Sequence, residues 1–530
     1  MEFDFIIAGA GTAGCVIANR LTADAKRSVL VLEGGRADTH LYNRIPAANI
    51  KAVQNPAFDW CYRTEPDPSR NGLREVWPAG KLTGGGSAMN GMIFIRGHYH
   101  DFDRWAELGA DGWDYRSVLP YFKRLETNSR GGNAFRGADG PLSVSDLRVH
   151  YPVTDAWIAA AVEAGIKRSP DLNGEQCEGV DYIQASQRRG LRDSTASAYL
   201  WPASRRENLK LELKAVVRRV LVRDGRAVGV EYSQAGVIKT AMARQGVAIC
   251  SGAMASPKLL LLSGIGPGSH LQEMGIPVAV DLPGVGANLQ DHIGMHHTCE
   301  VNQPTMNSER GPLDILRHGL NFLLRRRGVL TTSIGHAHAL VRTRPGLAGP
   351  NVQLIMAPMA FDLDAQGVIR LCKEPAISTA IGVIHPRARG RISLRSPDPM
   401  DPPKIEHALI GEADDVEQLV EGMQMARRIV AQPAIKKYVI GERTPGNKAQ
   451  SDAELREFAR LAAFSMYHQA GTCRMGRDAM AVVDPQLRVR GVESLWVADA
   501  SVMPELVSGN TNASVIMIGE KAADLIQSRL

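Results

Sequence analysis

Cysteine is sparse and scattered. Its seven positions (15, 61, 177, 250, 299, 372 and 473) form no CxxC pair and are odd in number. That excludes a disulfide framework and a zinc ribbon, and suits a reducing compartment. No uninterrupted run of about 18 apolar residues occurs, so no membrane span is expected. The chain opens into a strand pattern with an acid at position 2. It lacks the basic start and apolar stretch of a secretory peptide, so the default location is the cytoplasm. Charge of either sign is not in excess: the net value is +6 over 530 residues, with no long Lys/Arg block. Nucleic acid is therefore not expected as a partner. No internal repeat or low-complexity tract stands out.

What is present is an ordinary globular composition, 44% apolar and 22% charged, with enough apolar residues for sizeable cores. The length suggests two to four domains. Phe3-Asp4-Phe5-Ile6-Ile7-Ala8 reads as a short strand that runs into Gly9-Ala10-Gly11-Thr12-Ala13-Gly14. A helical pattern follows with Val16, Ile17, Ala18 and Leu21, and then a second buried strand, Ser28-Val29-Leu30-Val31-Leu32, which ends at Glu33. This is one parallel strand–helix–strand unit. The segments 226–232, 246–250 and 495–498 read as further strands of the same core. The middle, roughly 296–461, differs, with the Pro-rich Ser396-Pro397-Asp398-Pro399-Met400-Asp401-Pro402-Pro403 and the alternating Gly390-Arg391-Ile392-Ser393-Leu394-Arg395. It reads as a second domain inserted into the first, mixing helices with antiparallel strands.

The glycines of the first unit have physical tasks. One makes the tight turn, one lets backbone N–H groups approach a pyrophosphate at the helix N-terminus, and one lets the helix pack closely on the strand. Gly9, Gly11 and Gly14 supply them, with Thr12 and Ala13 between. Glu33 lies 19 residues past Gly14, at a strand end where a carboxylate can hold both ribose hydroxyls and disfavour a 2′-phosphate. On these residues alone, FAD and NAD remain equally open.

Four further segments run in order along the chain. They are Gly80-Lys81-Leu82-Thr83-Gly84-Gly85-Gly86-Ser87-Ala88-Met89-Asn90-Gly91, then Gly252-Ala253-Met254-Ala255-Ser256-Pro257, then Tyr467-His468-Gln469-Ala470-Gly471-Thr472-Cys473-Arg474-Met475-Gly476, and last Asp499-Ala500-Ser501 with Gly509-Asn510-Thr511-Asn512-Ala513. Asn288-Leu289-Gln290-Asp291-His292 is a smaller echo. From end to end the set resembles the glucose–methanol–choline (GMC) family of FAD oxidoreductases, most of all bacterial primary-alcohol, choline and L-sorbose dehydrogenases.

The resemblance implies an α/β fold: a Rossmann-like FAD-binding domain with an inserted α+β substrate domain on an antiparallel sheet. The expected division is 1–150, 191–295 and 462–530 for the FAD domain, and 151–190 with 296–461 for the substrate domain. It also implies FAD as cofactor. Gly85 and the stretch Asn90, Gly91, Met92 and Ile93 are expected beside the flavin, and Val217 at the adenine. Asp499 and Ala500 are expected near the ribityl chain and pyrophosphate, with Thr511 close by. Trp60 matches a tryptophan near the flavin in many members. Members with covalent FAD carry histidine where this chain has Met89, so a non-covalent flavin is expected. Thr83 stands where the family has an aliphatic residue, and Gln469 where a proline often follows the catalytic histidine.

By the same resemblance, His468 is the catalytic base and Asn512, 44 residues later, the residue beside it. Histidine suits proton removal from an alcohol because its pKa lies near neutrality. An Asn amide can hold the substrate oxygen without competing for its proton. The implied reaction is oxidation of a CH–OH group, by preference a primary alcohol, with electrons passed to a quinone- or dye-type acceptor or to oxygen. Choline and polyols remain open as substrates. Aromatics at 5% count against choline, which wants aromatic faces. A hydroxynitrile lyase, in which flavin does no redox work, is the reading from another class.

Other features receive blander readings. The leucines at 259–262 are core. His98 with His100, His296-His297, and His336 with His338 lack a carboxylate triad or HExxH, so no metal is expected. His336 and His338 are candidates for a cavity wall. Arg325-Arg326-Arg327 ends an amphipathic stretch carrying Leu313, Ile315, Leu316, Leu320, Leu323 and Leu324. It reads first as a solvated helix end. A peripheral contact with the inner membrane is the second reading.

Overall fold

The computed structural model describes residues 1–363 and 369–528. Two seven-stranded sheets organise it. The first begins with β1 (Glu2–Ala8), whose last five residues are all buried. β1 leads through the glycine turn into α1 (Thr12–Leu21), and β2 (Val29–Glu33) returns parallel to β1. The strand Leu209–Leu213 adds parallel to β2, and Val237–Ile249 adds parallel to the other side of β1. Leu495–Val497 also runs parallel to Val237–Ile249. The antiparallel strands Arg226–Gln234 and Ala215–Arg223 complete the sheet. The parallel strands are near-continuous Val, Ile and Leu because helices cover both faces.

The second sheet is antiparallel. Its order is Val439–Thr444, Ile293–Val301, Ala376–Val383, Val352–Ala357, Ala337–Val341 and Gly179–Tyr182, with Phe464–Ser465 also paired to Ile293–Val301. The helix Ala413–Val430 packs on it so closely that a Cβ on Gly422 would meet Ile381 Cγ2 at 2.3 Å. Arg391–Ser393 pairs with Lys404–Glu406 as a separate hairpin and does not join this sheet.

Two helices matter for function. α2 (Pro312–Arg325) lies after the first long strand of the second sheet. α3 (Asn512–Gln527) packs on α1, where a Cβ on Gly519 would meet Val16 Cβ at 3.0 Å. Below that contact Glu520 is fully buried, bonded to Arg20 through two contacts of 2.8 and 2.7 Å and to the Tyr199 hydroxyl at 2.8 Å. Among the described residues no helix is long and apolar enough to cross a membrane.

Candidate active site

The glycine turn behaves as its chemistry requires. Gly9 has φ +106°, and a Cβ there would meet the Cys250 carbonyl oxygen at 2.5 Å. A Cβ on Gly14 would meet the Gly9 carbonyl oxygen at 2.0 Å, so only glycine allows α1 so near β1. Gly11 caps α1 without a side-chain hydrogen bond, which leaves the helix-start N–H groups for a ligand. Gly85 crosses directly over it: a Cβ on Gly85 would lie 2.9 Å from Gly11 Cα. Beside Gly86 there is open space.

Glu33 faces this turn. Its two oxygens accept from Ala10 N at 2.9 Å and Gly35 N at 2.7 Å, and burial raises its pKa. A carboxylate has about four acceptor positions, so two remain for ribose hydroxyls. Val217 lies on the strand Ala215–Arg223, which follows the neighbour of β2. Trp60, expected near the flavin, packs against Gly34, where a Cβ would meet its ring at 2.9 Å, and stacks on Tyr62 at 6.4 Å. Asp499 is engaged by protein: Gly252 N, the Ser256 hydroxyl and Ser501 N donate to its carboxylate at 2.8, 2.5 and 2.8 Å. Its role here is to join two loops, with Ala500 following at the start of a short helical turn. Thr511 precedes α3 and is buried.

The stretch 90–93 is tightly held. Asn90 Oδ1 accepts from Met92 N at 3.0 Å, and Met92 takes a left-handed backbone, φ +65°. Ile93 is buried behind it, and Ser333 Oγ donates to the Gly91 carbonyl at 2.5 Å. Met89 is buried with Ala52, Phe58, Leu82 and Ala88. Sequence reading missed Arg192. It is buried, donates from Nη1 to Ser87 O at 3.1 Å and Asn90 Oδ1 at 2.9 Å, and among the described residues its Nε and Nη2 have no partner. Burial lowers its pKa to about 9. A buried cation with free donors beside the expected flavin segment, together with the glycine crossing and bare helix start, fits an anionic dinucleotide.

At the other end, the loop carrying His468 pairs with the segment 288–292. Gln290 and Ala470 exchange two backbone hydrogen bonds of 3.0 Å. Asp291 is buried and gathers the loop: it accepts from His468 N at 2.8 Å, from Gln469 Nε2 at 2.9 Å and from the Ser465 hydroxyl. Burial pushes its pKa up to about 7 against those hydrogen bonds. Gln469, which replaces a proline, thus gains a specific partner.

His468 is half-buried, and desolvation lowers its pKa to about 4. Its Nδ1 lies 2.9 Å from His292 Nδ1, with the rings near perpendicular at 83°. Its Nε2 lies 3.0 Å from Asn510 Nδ2. Asn512 is the residue the resemblance implies beside His468; the hydrogen bond to His468 in this structure comes from Asn510. Asn512 opens α3 and accepts at Oδ1 from the Thr12 hydroxyl at 3.0 Å, which puts it at the start of α1. Asn510 sits in the preceding turn, two residues away. That turn is anchored by Ser508, whose N and Oγ donate to Asp101 at 2.6 and 2.8 Å.

The remaining histidines do other things. His336 contacts the Thr332 hydroxyl at 2.8 Å, and His338 is buried within the second sheet. His98 caps the helix Tyr99–Glu107. Among the described residues, no cluster of three or more metal-binding side chains occurs.

Comparison with known proteins places this geometry. Two family models, both described as GMC oxidoreductase, match residues 3–294 and 386–519. An oxygen-dependent choline dehydrogenase of Rhizobium meliloti is 40% identical over 100% of this chain and 96% of its own. A mitochondrial choline dehydrogenase of Mus musculus is 40% identical over 99% of this chain and 89% of its own. Among solved structures, pyridoxine 4-oxidase from Mesorbium loti superposes with a TM-score of 0.89 at 28% identity, covering 98% of each chain. A fungal aryl-alcohol oxidase gives 0.84 at 26%, covering 99% of each.

Proposed function

Given that the chain belongs to the GMC oxidoreductases and is an FAD-dependent enzyme acting on CH–OH donors, we propose that it oxidises an uncharged primary alcohol with His468 as base. The observation that carries this is the pairing of His468 Nε2 with Asn510 at 3.0 Å on a ring whose pKa is near 4. At neutral pH that ring is uncharged, and its Nε2 lone pair, which accepts from Asn510, can take a proton once the alcohol oxygen displaces that amide.

The proton positions follow from the neighbours. The Asn510 amide donates to His468 Nε2, so the neutral ring carries its proton on Nδ1. Nδ1–H then donates to His292 Nδ1 at 2.9 Å, and His292 holds its own proton on Nε2, a buried nitrogen with no hydrogen-bond partner among the described residues. An alcohol oxygen entering between His468 and Asn510 receives the amide N–H and yields its proton to Nε2. The resulting imidazolium is stabilised through Nδ1–H by His292, which buried and neutral is a pure acceptor there. Asp291 fixes the backbone of His468 and so the aim of its ring. A positioned base of this kind contributes about 10²- to 10⁴-fold.

FAD, when bound, supplies the hydride acceptor. The glycine turn, Glu33 and Gly85 would hold its dinucleotide, with Val217 and Trp60 toward the adenine end. Asn90, Gly91, Met92, Ile93 and Arg192 would lie toward the flavin, with Thr511 and Asn512 at the start of α3. Met89 has no nucleophile, which supports a non-covalent flavin.

Choline is the second reading, supported by the names of the relatives. Against it stands the site's carboxylate, Asp291, which already serves His468, Gln469 and Ser465. Two residues past His292, Gly294 offers no side chain, and Phe464 and Met466 crowd it. Electrons pass to a quinone- or dye-type acceptor in this reading; oxygen is the alternative supported by the Rhizobium relative's name. Anaerobic addition of straight-chain alcohols, polyols and choline tests the proposal. Bleaching of the oxidised flavin by primary alcohols is expected. An unbleached flavin during turnover would show a lyase instead, and bleaching by choline alone would reverse the substrate reading.

A further inference from the structure

α2 is built inside out. Leu313, Leu316, Leu320, Leu323 and Leu324 recur at helical spacing and form one stripe. In a globular protein such a stripe faces the core. Here Leu313, Ile315, Leu316, Leu320, Leu323 and Leu324 are 49 to 81% exposed, and of the apolar side chains only Phe322 is buried. On its other side His318 meets Glu309 at 3.0 Å over a groove that Arg148, His150 and Tyr151 line, with Leu320 and Leu324 of the stripe at its edge. An outward stripe of five large aliphatic side chains is not ordinary surface.

The charge around the patch says what covers it. Arg325, Arg326 and Arg327 follow the stripe, and Arg148 and Arg189 lie by the same turn. Arg148 Nε donates to the Arg326 carbonyl at 2.7 Å, and a Cβ on Gly190 would meet that oxygen at 2.5 Å. Among the described residues none of these five guanidinium groups has an ion pair. The acids nearby are engaged: Asp314 with Arg317 at 3.2 Å, and Glu309 with His318. A second copy of the chain fits poorly. A two-fold axis across α2 would set the arginines against the positive end of the partner helix and Arg310. An axis along it would set arginines against arginines.

The same chain segment reaches the active site. Past α2, Ile334 is 53% exposed and packs on Gly91, where a Cβ would meet it at 2.3 Å. The patch is thus tied to the stretch expected beside the flavin.

We propose that the outward face of α2, flanked by Arg325, Arg326 and Arg327, lies on an anionic lipid surface and presents the active-site side of the protein to it. Aliphatic side chains enter the headgroup boundary while the arginines meet lipid phosphates, the usual division of an interfacial helix. This rests on the proposed function only in making a lipid-dissolved acceptor or alcohol the reason for the contact.

Vesicle co-flotation of the FAD-loaded enzyme tests it. Vesicles of phosphatidylcholine with 30% phosphatidylglycerol are expected to carry the protein, and pure phosphatidylcholine at least tenfold less. Salt at 0.5 M should release it. The Leu316→Glu/Leu323→Glu variant changes only exposed side chains and should lose flotation at least tenfold, with dye-coupled turnover without vesicles unchanged. Wild-type protein that ignores anionic vesicles overturns the inference. So does equal flotation of the variant, or a solution dimer that the variant dissociates. Flotation without turnover would leave this surface standing and reject only the proposed function.

Discussion

His292 Nδ1 and His468 Nδ1 face each other at 2.9 Å, two like ring nitrogens of which one must donate. Asn510 at His468 Nε2 decides the direction, making His468 the donor and His292 the acceptor. A neutral buried acceptor behind the base fixes the tautomer without adding a charge. His292→Leu should therefore slow flavin reduction about 10- to 100-fold, within the range of a displaced general base. His292→Asn keeps an acceptor near the Nδ1 position and should restore most of the rate. Equal losses in the two variants, measured by anaerobic stopped flow across pH, would assign His292 a packing role only.

Asn510 and Asn512 should separate cleanly. Asn510→Ala removes the amide beside His468 and should lower flavin reduction at saturating alcohol about 100-fold, near what one oriented donor contributes. Asn512→Ala removes the acceptor of the Thr12 hydroxyl, and its main effect should be weaker FAD retention. Flavin content after gel filtration and the reduction rate together read both effects. A retention loss confined to Asn510→Ala would reverse the assignment.

Three buried histidines outside the catalytic loop contribute to the acid limit of stability. Desolvation lowers His336 to about 3, and His338 and His407 to about 4. The unfolded groups titrate near 6.5, so the unfolded state binds protons first as pH falls. The stability they confer is present above pH 6.5 and lost between there and about 3 to 4, at up to roughly 3 to 5 kcal/mol each. Asp291, raised to about 7, acts in the opposite sense and loses its contribution as pH rises through 7. Thermal unfolding should show Tm falling steeply from pH 6.5 to 4. A flat Tm there would contradict the burial of these rings.

Glu520 joins α1 to α3 through Arg20 and Tyr199. Removing one partner of a buried pair leaves the other charge uncompensated. Glu520→Ala should cost about 3 to 5 kcal/mol in chemical unfolding. Glu520→Gln, which keeps hydrogen-bonding groups, should cost less. A change under about 1 kcal/mol in both would show that the network is solvated.

Sequence and structure agree best where function is local. The glycine turn, Glu33 and the loop around His468 are contiguous, and their residue types follow from close backbone approach and proton transfer. The Asn510–Asn512 choice was not legible, because it depends on where α3 begins: the helix starts at Asn512 and leaves Asn510 in the turn. Arg192 was missed since its partners, Ser87 and Asn90, lie about a hundred residues away and no spacing announces them. The echo at 288–292 was visible, but its pairing with 468–470 is a tertiary contact. Periodicity disclosed the stripe on α2 and could not say that it faces outward.

The most direct measurement is anaerobic reduction of the FAD-loaded His468→Ala variant by a primary alcohol. The account predicts flavin retained at the wild-type level and a reduction rate lowered by about 10³-fold, with His468 contributing as the positioned base. Reduction near the wild-type rate would contradict it.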